Sequence, residues 1–149
     1  MEFFIQIHLK IIHFPIALLC VYPFIELLYF ITQKEYYNKT AFLFLAIGIS
    51  TALFAVLSGN RAAEIISSWQ SDSKQIFEQH QLYANITVWF FSALLGIRFI
   101  VNKKYSSKRI IAFIFFIISL FGLFAIYQTG HYGNLLSKQI TINSQDIVK

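Results

Sequence analysis

The sequence is short of the residues on which many protein classes depend. It has one cysteine, so it can form neither an intramolecular disulfide framework nor a cysteine-rich zinc site. Two prolines and six glycines exclude collagen-like and low-complexity chains. Charged residues make up only 13% of the 149 positions, which is about half of what a soluble domain usually carries. No phosphate-binding glycine loop, nucleophile elbow, HExxH or CxxC motif is present, so none of the enzyme classes that these motifs mark is indicated.

Apolar side chains make up most of the sequence. Hydrophobic residues account for 57% of the chain and aromatic residues for 18%, and the mean hydropathy is +0.61. A disordered chain shows the opposite balance. The composition therefore predicts a protein whose solvent is the lipid bilayer, and the length fits one domain of four spanning helices at about 20 residues each.

Four long apolar runs predict the architecture. None shows the alternation of a barrel strand, and the backbone must satisfy its own hydrogen bonds in lipid, so each run predicts a helix. The fold class is therefore all-α, a four-helix transmembrane bundle with up-down-up-down order. The four-helix membrane domain is expected at 1–136, with helices at about 9–32, 40–59, 78–101 and 109–130. A helix lying in the interface can form at 61–70, and 137–149 is a polar C-terminal tail.

The positions of the cations predict the orientation. Seven cations lie in or beside the two short loops that join the first helix to the second and the third to the fourth: Lys34, Lys39, Arg98, Lys103, Lys104, Lys108 and Arg109. Cytoplasmic loops carry such an excess, so both termini are predicted on the non-cytoplasmic side of a bacterial inner membrane. The pI near 9.4 is then a topology signal and does not indicate a nucleic-acid partner.

The histidines collect at one predicted end of the bundle. His8 and His13 begin the first helix, His80 begins the third, and His131 ends the fourth. Two imidazoles on opposite faces of an iron ligate b-type haem, and imidazole also binds zinc or copper. His8 and His13 are five positions apart, about 140° around a helix. They therefore cannot both point at one axis unless His8 precedes the regular helix.

Three further residues at the histidine end suit a haem site. Gly130 and Gly133 flank His131 and leave room for a flat macrocycle, although glycine also serves helix packing. Arg61 can pair with haem propionates, or it is a solvated cation at the interface. At the opposite end, Glu26 is the one charge inside the apolar runs. It is either a functional intramembrane acid or a side chain that reaches the cytoplasmic interface.

Several short motifs resemble one family of membrane proteins. The string His8-Leu-Lys-Ile-Ile-His13-Phe-Pro-Ile-Ala-Leu is similar to the opening of the bacterial family called domain of unknown function 2231. Four later segments resemble other motifs of that family: Glu26-Leu-Leu, Leu57-Ser-Gly59, His80 with Asn85, and Thr129-Gly-His131-Tyr-Gly133. The resemblance covers roughly His8 to Leu136, with departures at Lys10 and Asn134. It implies a four-helix membrane domain with a possible b-haem or redox role.

These observations favour a b-type haem-binding electron-transfer subunit with its site near the periplasmic face, ligated by two of His13, His80 and His131, with His8 as the fourth candidate. Electrons would pass between membrane quinol and a periplasmic c-type cytochrome or a larger membrane complex. The chain has no Cys-x-x-Cys-His motif, so a c-type haem must come from another chain. Two alternatives remain open at this point: a non-enzymatic scaffold or assembly subunit, and a copper or zinc site held by the histidines.

Overall fold

The computed structural model describes residues 8, 10–66, 71–104 and 108–146. These residues form four long helices: α1 at His13–Thr32, α2 at Glu35–Ile66, α3 at Ser71–Lys104 and α4 at Lys108–Asp146. His8 precedes α1 in helical conformation, and its carbonyl accepts the Ile12 N–H at 3.1 Å. All four helices contain segments long and apolar enough to cross a membrane, which confirms the all-α prediction and the number of spans.

The helices are longer than the apolar runs predicted. α2 continues to Ile66 and includes residues 61–66, so this part of the predicted interfacial helix extends a spanning helix; 67–70 lie outside the described residues. α4 continues to Asp146 through most of the predicted polar tail. Hydropathy marks only the part of a helix that lies in hydrocarbon, whereas its backbone hydrogen bonds can continue beyond that part.

The four helices form a closed square. Each helix packs against its two neighbours, in the order α1, α2, α3, α4 and back to α1. Within the described part of the chain, the diagonal pairs α1–α3 and α2–α4 have no comparable backbone contact. Residues of α1 and α3 that meet therefore do so through side chains across the centre of the bundle.

Two close helix contacts depend on glycine. A Cβ at Gly48 of α2 would stand 2.7 Å from the Leu19 side chain of α1, and a Cβ at Gly122 of α4 would overlap the Phe91 ring of α3. Leu19 and Phe91 are themselves fully buried core residues. Small residues at such positions let membrane helices approach closely, so these glycines fix the spacing of α1 against α2 and of α3 against α4.

The outer surface of the bundle is apolar. Phe24, Phe54, Trp89 and Phe121 are each more than half exposed although they are large hydrophobic residues. Such a surface suits lipid contact rather than water. Among the described residues, the buried polar or charged side chains are Glu26, Asn38, Ser73, Thr87, Arg98 and Ser119.

Candidate functional site

A cavity of about 470 Å³ opens where α1 and α3 begin and α2 and α4 end. Its walls are mostly apolar, with Ile12, Ile16, Leu19 and Ile126 among the lining residues. Three of the four predicted histidines, His8, His13 and His80, line it. The volume lies within the range of roughly 300–1,000 Å³ that is usual for small-molecule sites. A mainly apolar pocket with a few convergent polar groups is the ordinary form of such a site.

The His8 ring is held by the end of α2. Its Nδ1 lies 3.0 Å from the backbone oxygen of Ala55 and 3.1 Å from Ser58 Oγ. Gly59 gives the ring its space, because a Cβ there would stand 3.0 Å from the ring Cε1. The Ser58 hydroxyl itself donates to the same Ala55 oxygen at 2.8 Å. The Ala55 carbonyl and the Ser58 hydroxyl therefore hold the ring, and Gly59 leaves the space that it occupies.

The His80 ring is held by α4 in the same way. Its Nδ1 lies 3.0 Å from the backbone oxygen of Thr129, and a Cβ at Gly133 would stand 3.2 Å from its Cε1. The Thr129 hydroxyl lies 3.2 Å from that of Thr87 on α3, which adds a second polar contact between the two helices. His80 thus repeats on the second pair of helices what His8 does on the first.

These contacts determine which nitrogen of each ring is available. A carbonyl oxygen can only accept, so Nδ1 of His8 and Nδ1 of His80 carry the proton and donate it. The neutral ring then keeps a lone pair on Nε2. Burial lowers the pKa of His8 below its usual value, and a positive charge on His80 would lower it further, against the smaller opposing effect of the bond to Ala55. A neutral imidazole whose second nitrogen is free is the form that binds a metal.

The other predicted site residues lie at the same end with different surroundings. His13 lines the cavity but is exposed. His131 is exposed and does not belong to the cavity lining; its ring stacks on Tyr127 at 6.3 Å and meets Tyr132 edge-on at 5.3 Å. Gly130 lines the cavity, with no atom within 4 Å of its missing side chain, and Arg61 is exposed beyond Gly59 on α2.

The histidine end does not supply a many-ligand metal site. Among the described residues, no three His, Cys, Asp or Glu side chains come together in a group that could hold a metal ion. Tetrahedral zinc sites take three or four protein ligands, so the described side chains do not form one. A haem needs only two protein ligands, because its macrocycle supplies the others.

A second polar cluster lies at the opposite end, and it contains Glu26. Glu26 on α1 is fully buried and forms an ion pair with Arg98 on α3, which is 2% exposed. The other guanidinium nitrogen, Nη2, donates to Asn38 Oδ1 at 2.8 Å and to the Asn38 carbonyl at 3.3 Å. Nη1 also lies 3.4 Å from the Tyr22 hydroxyl. The cluster thus joins α1, α2 and α3.

Sequence reasoning found only one member of this cluster. The charge pattern predicts Arg98 at the border of the loop between α3 and α4, but the structure buries it inside the candidate span Ser73–Val101. Its neighbours Gly96, Ile97, Phe99 and Ile100 were a usable signal, because an arginine in such apolar surroundings needs a partner within the protein. Nothing in the sequence indicates Asn38 and Tyr22 as partners of Arg98, since both residue types are common at membrane interfaces.

Comparison with known proteins identifies a family and no characterised relative. The sequence model of the family described as "Predicted membrane protein (DUF2231)" matches residues 5–146, which is nearly the whole chain. No curated protein and no solved structure matches it significantly. The family resemblance inferred from the histidine motifs is therefore confirmed, and the chain belongs to the DUF2231 family of predicted membrane proteins.

Proposed function

We propose that the histidine cavity binds one b-type haem, held by His8, which precedes α1, and by His80 from α3, and that the protein is a membrane electron-transfer subunit. The observation that supports the proposal is the hydrogen bonding of the two imidazole rings. Each donates Nδ1–H to a backbone carbonyl of the neighbouring helix, and no described residue bonds to its Nε2. The two helices stand diagonally across the bundle, and both rings line the same cavity.

The residues around the cavity fit a b-type haem in three respects. Haem ligation by two imidazoles requires neutral rings of fixed orientation, and hydrogen bonds to carbonyls supply both properties. Gly59 and Gly133 keep space beside the two rings. The remaining walls are apolar, which suits the body of a macrocycle. When bound, the group would supply reversible one-electron chemistry, with a potential set by its two imidazoles and by burial.

The chain's own residues would hold and shield the ligand. The carbonyls of Ala55 and Thr129 orient the rings and raise their basicity as ligands. Leu19 closes the cavity toward the middle of the bundle, where it joins the buried core with Tyr22 and Phe91. His13, exposed at the cavity, is placed to bond a polar edge of the ligand or to serve as an alternative ligand.

The proposed location follows from the positive-inside rule. The loops at the Glu26 end carry the cation excess, so we propose that this end is cytoplasmic and that the cavity opens toward the periplasm of a bacterial inner membrane. A site there could receive electrons from membrane quinol and pass them to a periplasmic c-type cytochrome or a larger membrane complex. Tyr83, Tyr127 and Tyr132 surround this end, as aromatic residues do at membrane interfaces.

Titration of the purified protein with haem tests the proposal. In detergent micelles, the wild type should bind one haem per chain and give the reduced α-band of a two-imidazole complex. His8→Gly and His80→Gly should each weaken binding by at least about tenfold, and added imidazole should restore the band. His131→Ala is the matched control, because its ring is exposed outside the cavity lining, and it should bind as the wild type does.

Three results would contradict the proposal. They are the absence of a haem band in the folded wild type, unchanged binding in both glycine variants, and a loss in His131→Ala as large as in His80→Gly. Isolation from native membranes in a larger complex without haem would favour a scaffold or assembly subunit instead. Metal analysis of the same sample distinguishes haem iron from copper or zinc.

A further inference from the structure

The first helix of each half of the bundle carries equivalent residues at equal spacing. The first hairpin is α1 with α2 and the second is α3 with α4, and each has a histidine in the cavity lining near the start of its first helix. His8 and His80, Leu19 and Phe91, and Glu26 and Arg98 are three pairs whose members are each 72 positions apart. The two members of each pair have the same role. Both histidines line the cavity, Leu19 and Phe91 both belong to the central core, and Glu26 and Arg98 form the ion pair.

The second helices show the same equivalence at a separation of 74 positions. Gly48 corresponds to Gly122, and each receives the core residue of its own hairpin, Leu19 or Phe91. Ala55 corresponds to Thr129, whose carbonyls accept from the two rings. Gly59 corresponds to Gly133, and each lies against the ring held by that carbonyl. The described structure therefore contains two copies of one helical hairpin.

This equivalence gives the bundle an approximate two-fold axis along its length. The helices α1 and α3 are diagonal, so equivalent residues on them face each other across that axis. His8 and His80 do so at one end, and Glu26 and Arg98 do so at the other. The histidine position holds the same residue in both copies, whereas the position 18 residues further along holds opposite charges.

Among the described residues, the first hairpin supplies the side-chain oxygen atoms that bond to Arg98, whereas the second hairpin contributes the Phe115 ring, 5.2 Å from its guanidinium carbon. Tyr22 and Asn38 both contact Arg98, but their equivalents in the second hairpin are the apolar residues Leu94 and Ala112. Two identical first hairpins would bring two buried glutamates together, and two second hairpins would bring together two arginines without acceptors. Like charges at a buried site repel, and a charge without a partner inside a membrane is costly.

We propose that the Glu26–Arg98 position determines which hairpin pairs with which. A hairpin with Glu26, Tyr22 and Asn38 accepts a hairpin of the same design that carries arginine at the equivalent position, and it rejects a copy of itself. Repulsion between like charges in the wrong pairing is a recognised source of specificity between similar surfaces. The partner is thus an arginine-bearing version of the same hairpin, which this chain supplies as its own second half. The inference is independent of haem binding.

Charge reversal in two co-expressed full-length chains tests this. Glu26→Arg leaves one chain with two arginines at the axis, and Arg98→Glu leaves the other with two glutamates. Expressed alone, each should give little folded monomer. Expressed together under different affinity tags, they can exchange hairpins and restore two opposite-charge pairs. Capture through one tag should then recover the other chain at least about tenfold more than for two tagged wild-type chains, which pair internally.

A neutral variant keeps the test decisive if the reversed chains are degraded. Glu26→Gln combined with Arg98→Gln should still fold, but it should lose the discrimination, so two tagged copies should capture each other more than wild-type copies do. Two results would overturn the proposal. One is that both single reversals remain monomers with wild-type unfolding temperatures. The other is that neither the reversed pair nor the neutral pair exceeds wild-type capture.

Discussion

The two ends of the bundle use the same diagonal positions for different purposes. At the histidine end, the rings of His8 and His80 are anchored through Nδ1, and both residues line a cavity of about 470 Å³. At the other end, Glu26 and Arg98 form an ion pair, and Asn38 accepts a hydrogen bond from the second guanidinium nitrogen. The comparison contrasts a candidate binding site with a structural cluster. The first borders open space that a ligand can fill, and the second is enclosed by partners in the chain, with Glu26 Oε2 and Arg98 Nε as its buried atoms that form no hydrogen bond among the described residues.

The largest stability effect is expected from breaking the ion pair on one side only. Arg98→Met leaves Glu26 buried without its partner, which should cost about 3–5 kcal/mol of unfolding free energy. Denaturation in detergent micelles, followed by circular dichroism, measures it. Combining Glu26→Gln with Arg98→Met is the matched control and should recover most of the loss. A single variant within about 1 kcal/mol of the wild type would show that the cluster does not stabilise the bundle.

A smaller loss is expected where α4 approaches α3 between the two ends. Gly122→Leu would force a side chain into the Phe91 ring and should cost about 1–3 kcal/mol. Gly130→Ala on the same helix meets no atom within 4 Å and should be neutral or stabilising by about 0.4–1 kcal/mol. Thermal unfolding of the two variants compares them directly. Equal stability would contradict the close contact that the structure assigns to Gly122.

The smallest effect should appear as a pH dependence of the histidine end. The pKa of His8 is lowered in the folded protein, chiefly by burial, from its usual 6.5. The unfolded chain therefore binds a proton before the folded one does as the pH falls. Stability should be full above about pH 6.5 and should decrease as the pH falls toward the lower folded value.

The control for that pH dependence is His8→Gln. Its amide can still donate to the Ala55 carbonyl, but it does not titrate. Stability of the wild type should thus fall more than that of the variant between about pH 7.5 and about pH 5. Parallel curves for the two proteins would mean that His8 is not buried as a neutral ring.

Much of the architecture is readable from the sequence, because lipid leaves the backbone few alternatives. The long apolar runs predict all four candidate spanning helices, and the string around His13 identifies the family. The partners of Glu26 are not readable in the same way. Arg98 is 72 positions away, and only the diagonal arrangement of α1 and α3 brings the two together. The Nδ1 contacts of His8 and His80 are also invisible in sequence, since their acceptors are backbone carbonyls.

The internal repeat escapes sequence reasoning for a related reason. Leu19 and Phe91, or Ala55 and Thr129, are not similar enough as residue types to indicate equivalence. Their equivalence lies in what they contact, a glycine of the neighbouring helix in one case and a histidine ring in the other. Side chains can change in such a repeat while the close helix contacts stay fixed.

The spin state of haem bound to the purified protein tests the central claim most directly. Optical and electron paramagnetic resonance spectra should be recorded for the wild type and for His8→Gly and His80→Gly. Ligation by both rings predicts a six-coordinate, low-spin haem in the wild type, and loss of that signal to the same extent in each glycine variant. A wild type that binds no haem, or a low-spin signal that survives in either variant without added imidazole, would contradict the assignment of His8 and His80 as the pair.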